Sequence, residues 1–278
     1  MTRLNGIVGA LESSGTAFVA FSSAETERAV SFGGSGYDGV IIETEHTGFD
    51  ARRIQDFLQY LLDRRYIAQS GNLAPEVTPV VRVPSIGSER NHWFVKQALD
   101  AGAYGIVFPH VDSVGDARFA VGACRYPQEG GPGGRGIGAG AAARYFGLSP
   151  SEYYRCAGVW PLDPAGEVIV VIMIESRAGV DEVGEMLSKV PGIGCVLIGH
   201  GDLSQSLGVH GQYDHPDVLE AHSRVLNACR SAGVACGVVA APGDVERRVD
   251  EGYRLIVVQP EISYAGLQAG RRRAGRAD

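Results

Sequence analysis

Two acidic residues, Glu175 and Asp202, each stand at the end of an apolar stretch of the sequence, at 168–174 and 195–201. The two acids are 27 residues apart, about the length of one strand and one helix. Consecutive parallel strands of a barrel would therefore place both side chains at the same rim. Two carboxylates at such a rim can hold a hard divalent cation through oxygen and leave positions open for a substrate.

A histidine and an arginine are expected at the same rim. His46 lies just beyond the predicted second strand, which ends at Glu43. A histidine beside a carboxylate can act as a general base, although a histidine at such a position is more often structural. Arg82 interrupts the apolar run of the third strand. Its fork of donors suits a carboxylate, carbonyl or enolate oxygen, and the alternative is an ion pair with an acid of the rim.

Positioning these residues requires a strict alternation of strands and helices. Eight β-rich segments occur at 17–21, 39–43, 78–83, 105–111, 168–175, 194–199, 235–240 and 254–259. Amphipathic helical segments lie between them, at 51–63, 93–101, 115–124, 180–189, 216–232 and 244–252. This α/β alternation predicts a parallel eight-stranded (β/α)8 TIM barrel. We expect one domain over 1–278, with a glycine-rich insertion at about 126–167.

The insertion between the fourth and fifth predicted strands breaks the alternation. Residues 130–140 are too rich in glycine to pack as an ordinary helix. We expect this loop on the side of the barrel where active sites form, where its glycines would let backbone amides approach an anionic ligand. A flexible lid or a subunit contact is the alternative.

Composition excludes several classes of partner. A formal charge of −7 leaves no basic surface of the kind that binds nucleic acid. The 5 cysteines are odd in number and widely spaced, which fits reduced thiols and a cytoplasmic location. The sequence has neither a signal-peptide pattern nor an apolar run of about 18 residues, so we expect no membrane partner.

An ordered set of motifs resembles the HpcH/HpaI family of class II pyruvate aldolases. In chain order the motifs are GYDGVIIETEH at 36–46, VRVP at 81–84, ALDAGA at 98–103, RYP at 125–127, MIES at 173–176 and IGHGDLS at 198–204. The matches span about residues 5–270, nearly the whole chain.

The resemblance implies a metal-dependent carbon–carbon lyase that reversibly cleaves a 4-hydroxy-2-oxo acid to pyruvate and an aldehyde through a metal-stabilised enolate. Glu175 and Asp202 would bind the divalent ion, which is Mg²⁺, Mn²⁺ or Co²⁺. Arg82 would hold the keto oxygen and stabilise the enolate. His46 would be the base of the proton transfers, paired with the acid Glu43.

Further implications concern the substrate carboxylate and the assembly. Backbone amides at Gly201 and Asp202 would meet the carboxylate. Asp100 matches a family aspartate near a neighbouring subunit's site, and a structural acid is the alternative. The family also implies a homo-oligomer, a hexamer or trimer, with the last helix exchanged between subunits.

Departures from the family pattern concern the substrate more than the metal. Glu43 stands where aspartate is usual, His200 where proline is usual, and 258–261 differs from the usual stretch after the eighth strand. Lys96 and Lys189 fall in helical segments, which disfavours a Schiff-base mechanism. The alternatives are other enolate chemistry, as in an oxaloacetate-type decarboxylase or a malyl or citryl thioester lyase, and a non-catalytic barrel that binds a small acid.

Overall fold

The computed structural model describes residues 3–13, 15–84, 92–127, 133–259 and 264–276. Of the insertion at 126–167 and the stretch at 258–261 named above, residues 128–132 and 260–261 lie outside the described residues.

Eight parallel strands close into a barrel. In chain order the strands of the described residues, one of which lies outside the barrel, are β1 (Ala17–Ser22), β2 (Gly39–Glu43), β3 (Thr78–Arg82), β4 (Gly105–Phe108), β5 (Val159–Trp160), β6 (Val168–Ile174), β7 (Cys195–Ile198), β8 (Ala235–Ala240) and β9 (Leu255–Val258). The short β5 pairs only with the start of β6. The other eight form the barrel, which the β1–β9 and β4–β6 pairings close. The predicted (β/α)8 barrel is confirmed.

Helices cover the outside of the barrel and its amino end. They are α1 (Gly6–Ser13), α2 (Thr26–Ser31), α3 (Ala51–Leu61), α4 (Arg64–Ser70), α5 (His92–Ala101), α6 (Val114–Cys124), α7 (Gly140–Tyr145), α8 (Pro150–Cys156), α9 (Arg177–Lys189), α10 (His200–Ser206), α11 (Pro216–Ala232), α12 (Val245–Asp250) and α13 (Ala265–Arg273). Apolar residues of α1 pack into the barrel interior. None of the described helices is long and apolar enough to cross a membrane.

Each barrel strand is buried on both faces. In β6, Ile169, Val171 and Met173 belong to the barrel interior, and the alternate residues pack towards the helices. Strands buried on both faces read as nearly continuous apolar runs, as β6 does. The core thus leaves the carboxyl ends of the strands as the place where polar residues gather.

The fourth strand is shorter than the sequence predicts. The predicted segment is 105–111, but β4 ends at Phe108. His110 has a φ of 52°, in the left-handed region, which a strand does not accommodate. The chain therefore turns here and exposes the His110 side chain at the rim.

The glycine-rich insertion lies at the amino end of the barrel strands, whereas the sequence predicts it at the carboxyl end, where active sites form. Its described part contains α7, α8 and β5 and follows helix α6 rather than a strand. The Gly134 amide donates to the Gly122 carbonyl of α6, and Gly138 packs against Asp100 near the end of α5. Helices of a barrel run back to the amino ends of the strands. The expectation that this loop lies on the active-site side of its own barrel is therefore wrong.

Candidate active site

Glu43 and Arg82 face each other at the ends of neighbouring strands β2 and β3, where they are paired in register. Arg82 Nε donates to Glu43 Oε2 at 2.6 Å, and its Nη2 contacts the same oxygen. Glu43 Oε1 accepts from the backbone amides of Glu45 at 2.7 Å and His46 at 2.9 Å. The Arg82 guanidinium also lies over the Phe21 ring, 4.7 Å from its centroid. Glu43 thus shapes the turn after β2 and fixes the orientation of Arg82.

Glu45 joins three cationic or titratable groups at this rim. Its side chain is 7% exposed. Arg82 Nη1 lies 3.2 Å from its carboxylate, His110 Nε2 3.3 Å and His46 Nε2 3.6 Å. The imidazole of His46 therefore lies against Glu45 rather than against Glu43, the partner predicted from the sequence. Glu45 received no role from the sequence, although it immediately precedes His46.

His110 is a further site residue that the sequence did not reveal. Its backbone amide donates to Glu175 Oε2 at 2.9 Å, and its Nδ1 lies 3.8 Å from the same oxygen. The hydrogen bond with Glu45 is the largest cause that raises the pKa of His110 to about 9, and the charges of Glu175 and Asp202 add to it. The ring is thus a cation between two carboxylates. The available signal was a histidine directly after a strand, but that position was assigned to the strand itself.

Glu175 follows β6 and is 3% exposed. Burial is the main cause that raises its pKa, the His110 amide opposes the shift, and the negative charges of Glu45 and Asp202 reinforce it. A side chain at Gly199 would overlap the Glu175 carboxylate. The absence of a Cβ at this position therefore provides the space that the carboxylate fills.

Asp202 and Gly201 lie in the first turn of α10, directly after β7. Both are exposed. Amides of a first helical turn have no intrahelical acceptor, and a negative side chain is favoured there by the helix dipole. Asp202 lies close enough to influence the pKa of Glu175 and of His110.

The two carboxylates fit a hard divalent cation. Glu175 and Asp202 offer oxygen ligands, which such ions prefer. Their mutual repulsion and the burial of Glu175 make the pair costly without a cation between them. Within the described residues, no group of three or more His, Cys, Asp or Glu residues is arranged to hold a metal. Two protein carboxylates would thus leave the remaining positions to substrate and water.

Asp100 is not brought to this rim within the chain. It stands near the end of α5, at the amino end of the strands, and its Oδ1 lies 3.7 Å from Arg135 Nη2. Burial raises the pKa of its carboxyl. Lys96 and Lys189, the lysines of the chain, lie on α5 and α9, away from the carboxyl ends of the strands. The described structure therefore joins Glu43, His46, Arg82, Glu175, Gly201 and Asp202 at one rim and separates Asp100 from them.

Comparison with known proteins identifies the family and several relatives of this chain. The family described as HpcH/HpaI aldolase/citrate lyase matches residues 17–258. A hydroxypyruvate/pyruvate aldolase of Paraburkholderia phytofirmans is 34% identical over 83% of this chain and 81% of its own length. A 4-hydroxy-2-oxovalerate aldolase of Rhodococcus jostii is 33% identical over 77% of this chain and 73% of its own. A solved HpcH/HpaI aldolase/citrate lyase family protein of Burkholderia cenocepacia covers 96% of both chains, with 34% identity and a TM-score of 0.76.

Proposed function

The chain belongs to the HpcH/HpaI aldolase/citrate lyase family, and we propose that it is a class II aldolase that reversibly cleaves a 4-hydroxy-2-oxo acid to pyruvate and an aldehyde. The names of the relatives that are more than 30% identical support this substrate class. The observation that carries the proposal is the position of Glu45, which gathers Arg82, His46 and His110 at the rim that also holds Glu175. A barrel without a reaction to catalyse has no physical need for these charges.

A divalent cation such as Mg²⁺, Mn²⁺ or Co²⁺, held by Glu175 and Asp202, would supply Lewis-acid stabilisation of negative charge on the 2-oxo oxygen. The substrate-binding groups of the chain act beside it. The amides of Gly201 and Asp202, in the first turn of α10, would donate to the substrate carboxylate.

Arg82 is oriented for the oxygen on which charge develops. Its Nε and Nη2 contact Glu43, and its Nη1 contacts Glu45 and also donates to Met173 Sδ at 3.9 Å. Among the described contacts, Nη2 therefore retains one further N–H for a substrate oxygen. Two carboxylates and the Phe21 ring fix the guanidinium before the substrate arrives. Donors held in place in advance stabilise the enolate without reorganisation during the reaction.

In this proposal, His46 moves the protons. In the cleavage direction a base takes the proton of the 4-hydroxyl, the C3–C4 bond breaks, and C4 becomes the aldehyde carbon. The electron pair of that bond forms the enolate of pyruvate, and C3 then takes a proton to become the methyl group. His46 is exposed to the rim and its imidazole contacts Glu45, which orients the ring for both transfers.

The location and assembly of the protein form part of the proposal. The thiols of all the cysteines are free and most are buried, which supports a reducing compartment such as the cytoplasm. We place Asp100 near the active site of a neighbouring subunit in a homo-oligomer. Its position at the far end of the barrel from Glu175 agrees with a role outside its own subunit.

Proton NMR of pyruvate in D₂O tests the proposal most directly. We expect loss of the methyl signal with protein and Mg²⁺ or Mn²⁺, and no loss when EDTA is in excess. Glu175→Gln should abolish the exchange, whereas Glu182→Gln, an exposed acid on α9, should leave it unchanged. Absence of exchange with every divalent ion would refute pyruvate as the enolate donor, and full exchange in Glu175→Gln would refute the assigned ligand.

A further inference from the structure

A cavity of about 360 Å³ lies beside the candidate site. One wall is formed by His200 after β7, Val239 in β8 and Gln259 after β9. Because these strands are parallel, this wall stands at the carboxyl end of the barrel, and His200 precedes Asp202 by two positions. Val239 packs against the interior cluster of the barrel. The cavity therefore lies at the same end of the barrel as the rim where the reaction is proposed.

The outer wall carries buried polar atoms that have no partner. His222 of α11 is 6% exposed, and its Nδ1 lies 3.4 Å from the Tyr253 hydroxyl. Its Nε2 has no hydrogen-bond partner among the described residues, and the same is true of Arg248 Nε. Both residues line the cavity. A buried polar atom without a partner is costly, so these atoms offer hydrogen bonds that a bound molecule can complete.

The arginines of the cavity are already neutralised by carboxylates. Arg247 contacts Asp244 and Glu251, each at 2.9 Å. Arg248 Nη1 contacts Glu251 at 2.8 Å. A further acid, Asp214, also lines the cavity. A carboxylate on a ligand would therefore meet arginines whose charges are already balanced by carboxylates, with the additional negative charge of Asp214 beside them.

The His222 ring is neutral near neutral pH. Burial is the main cause that lowers its pKa to about 4, the charge of Arg248 and that of His200 when protonated lower it further, and Glu251 opposes them. A neutral imidazole presents one donor and one acceptor, with the tautomer set by the partner at the other nitrogen. Ala240, Ala241 and Pro242 supply apolar walls beside it. This lining suits a short carbon chain with an uncharged polar group.

We propose that this cavity binds the aldehyde half of the substrate and that His222 selects substrates with an uncharged hydroxyl on that half. The inference rests on the proposed aldolase function and specifies its substrate class. A hydroxyl can accept from Arg248 Nε, and it both donates and accepts, so it satisfies His222 Nε2 in either tautomer. His222 is thus a specificity-determining residue, and an analogue without the hydroxyl leaves the buried atoms unpaired.

The test compares two aldehydes of equal chain length in the addition of pyruvate, glyceraldehyde and propanal. The ratio of their kcat/KM values is measured for the wild-type protein, for His222→Phe and for the exposed control His210→Phe. Because the intrinsic reactivities of the aldehydes cancel between proteins, a change in the ratio reports the subsite. We expect the ratio to fall about tenfold in His222→Phe and to stay at the wild-type value in His210→Phe.

His222→Gln separates hydrogen bonding from packing. Glutamine keeps a donor and an acceptor, so this variant should retain most of the preference for glyceraldehyde. An equal fall in both His222 variants, or an unchanged ratio in His222→Phe, overturns the proposal. Succinic semialdehyde provides a test that needs no variant. A wild-type preference for this carboxylated aldehyde over glyceraldehyde also overturns the proposal.

Methyl exchange of pyruvate, measured on the same samples, distinguishes a failure of this inference from a failure of the proposed aldolase function on which it rests. Exchange needs no aldehyde and reports the enolate-forming half of the site alone. Wild-type protein without exchange would refute the aldolase proposal. Wild-type protein with exchange, and with the same aldehyde ratio as His222→Phe, would refute the subsite and leave the aldolase proposal intact.

Discussion

The Glu175 carboxylate lies directly against Gly199, in the space that a Cβ at Gly199 would fill. The backbone there has a φ of −92°, which any L-residue adopts, so glycine is required for space rather than for conformation. Gly199→Ala should displace the carboxylate and lower both metal affinity and kcat/KM by about 10- to 100-fold. Metal titration and cleavage kinetics measure this directly.

Gly184→Ala is the matched control. Gly184 lies within α9, and nothing stands within 4 Å of a Cβ added there. Alanine should therefore stabilise the helix by about 0.5–1 kcal/mol and leave catalysis unchanged. Gly199→Ala with wild-type metal affinity and turnover would contradict the close contact on which the prediction rests.

His110→Asn should reduce turnover while preserving the fold. Asparagine tolerates the left-handed backbone at this position, and the amide that donates to Glu175 remains. The variant removes the cation between Glu45 and Glu175. We expect kcat/KM for cleavage to fall about 10- to 100-fold, with a thermal unfolding midpoint near that of the wild type. Unchanged kinetics would show that His110 is only a structural residue of the rim.

Glu45→Gln should weaken the same site, because it removes the carboxylate charge that lies at its centre. Arg82, His46 and His110 would lose their common counter-charge, and we expect a comparable fall in kcat/KM. Since His110 acts through Glu45, the double variant should lose much less than the product of the two single effects. Steady-state kinetics of the four proteins measure this coupling. Effects that multiply within about twofold would show that the two residues act independently.

Most ends of the strands could be predicted from the sequence, because an apolar run stops where a strand leaves the core; the exception is β4, which ends at Phe108 and not at the predicted 111. Glu175 and Asp202 therefore appear at the rim as expected, and Arg82 at the end of β3 likewise. Their residue types and the known order of barrel strands are sufficient for this inference. The pairing of Arg82 with Glu43 follows from the register of β2 and β3, which the sequence does not specify.

Contacts made by loops could not be predicted in the same way. The turn at His110 depends on a left-handed backbone residue, and a pattern of apolar residues carries no sign of it. Whether His46 meets Glu43 or Glu45 depends on how Glu43 caps the turn between them. The end of the barrel at which the glycine-rich insertion lies was predicted wrongly. The insertion follows α6, and that helix returns the chain to the amino end of the barrel.

His222 should make the protein less stable in acid. Its folded pKa is about 4, below the ordinary value of 6.5, and the ring faces the Tyr253 hydroxyl, Arg248, His200 and Glu251. As the pH falls below 6.5, His222 binds a proton in the unfolded chain, whereas in the folded protein it does not bind one until about pH 4. The free energy of unfolding therefore falls across this window, and the contribution is fully present above it.

His222→Gln should remove this loss. Between pH 7 and pH 4.5, the drop in the free energy of unfolding should be smaller than in the wild type by roughly 2.5 kcal/mol, because pH 4.5 lies about two units below the ordinary histidine pKa. Urea unfolding at the two pH values measures the difference. His210→Gln, at an exposed histidine, should show the same drop as the wild type. Equal drops in His222→Gln and the wild type would mean that the folded protein binds a proton at His222 as readily as the unfolded chain, and the neutral ring assigned to the cavity would then be wrong.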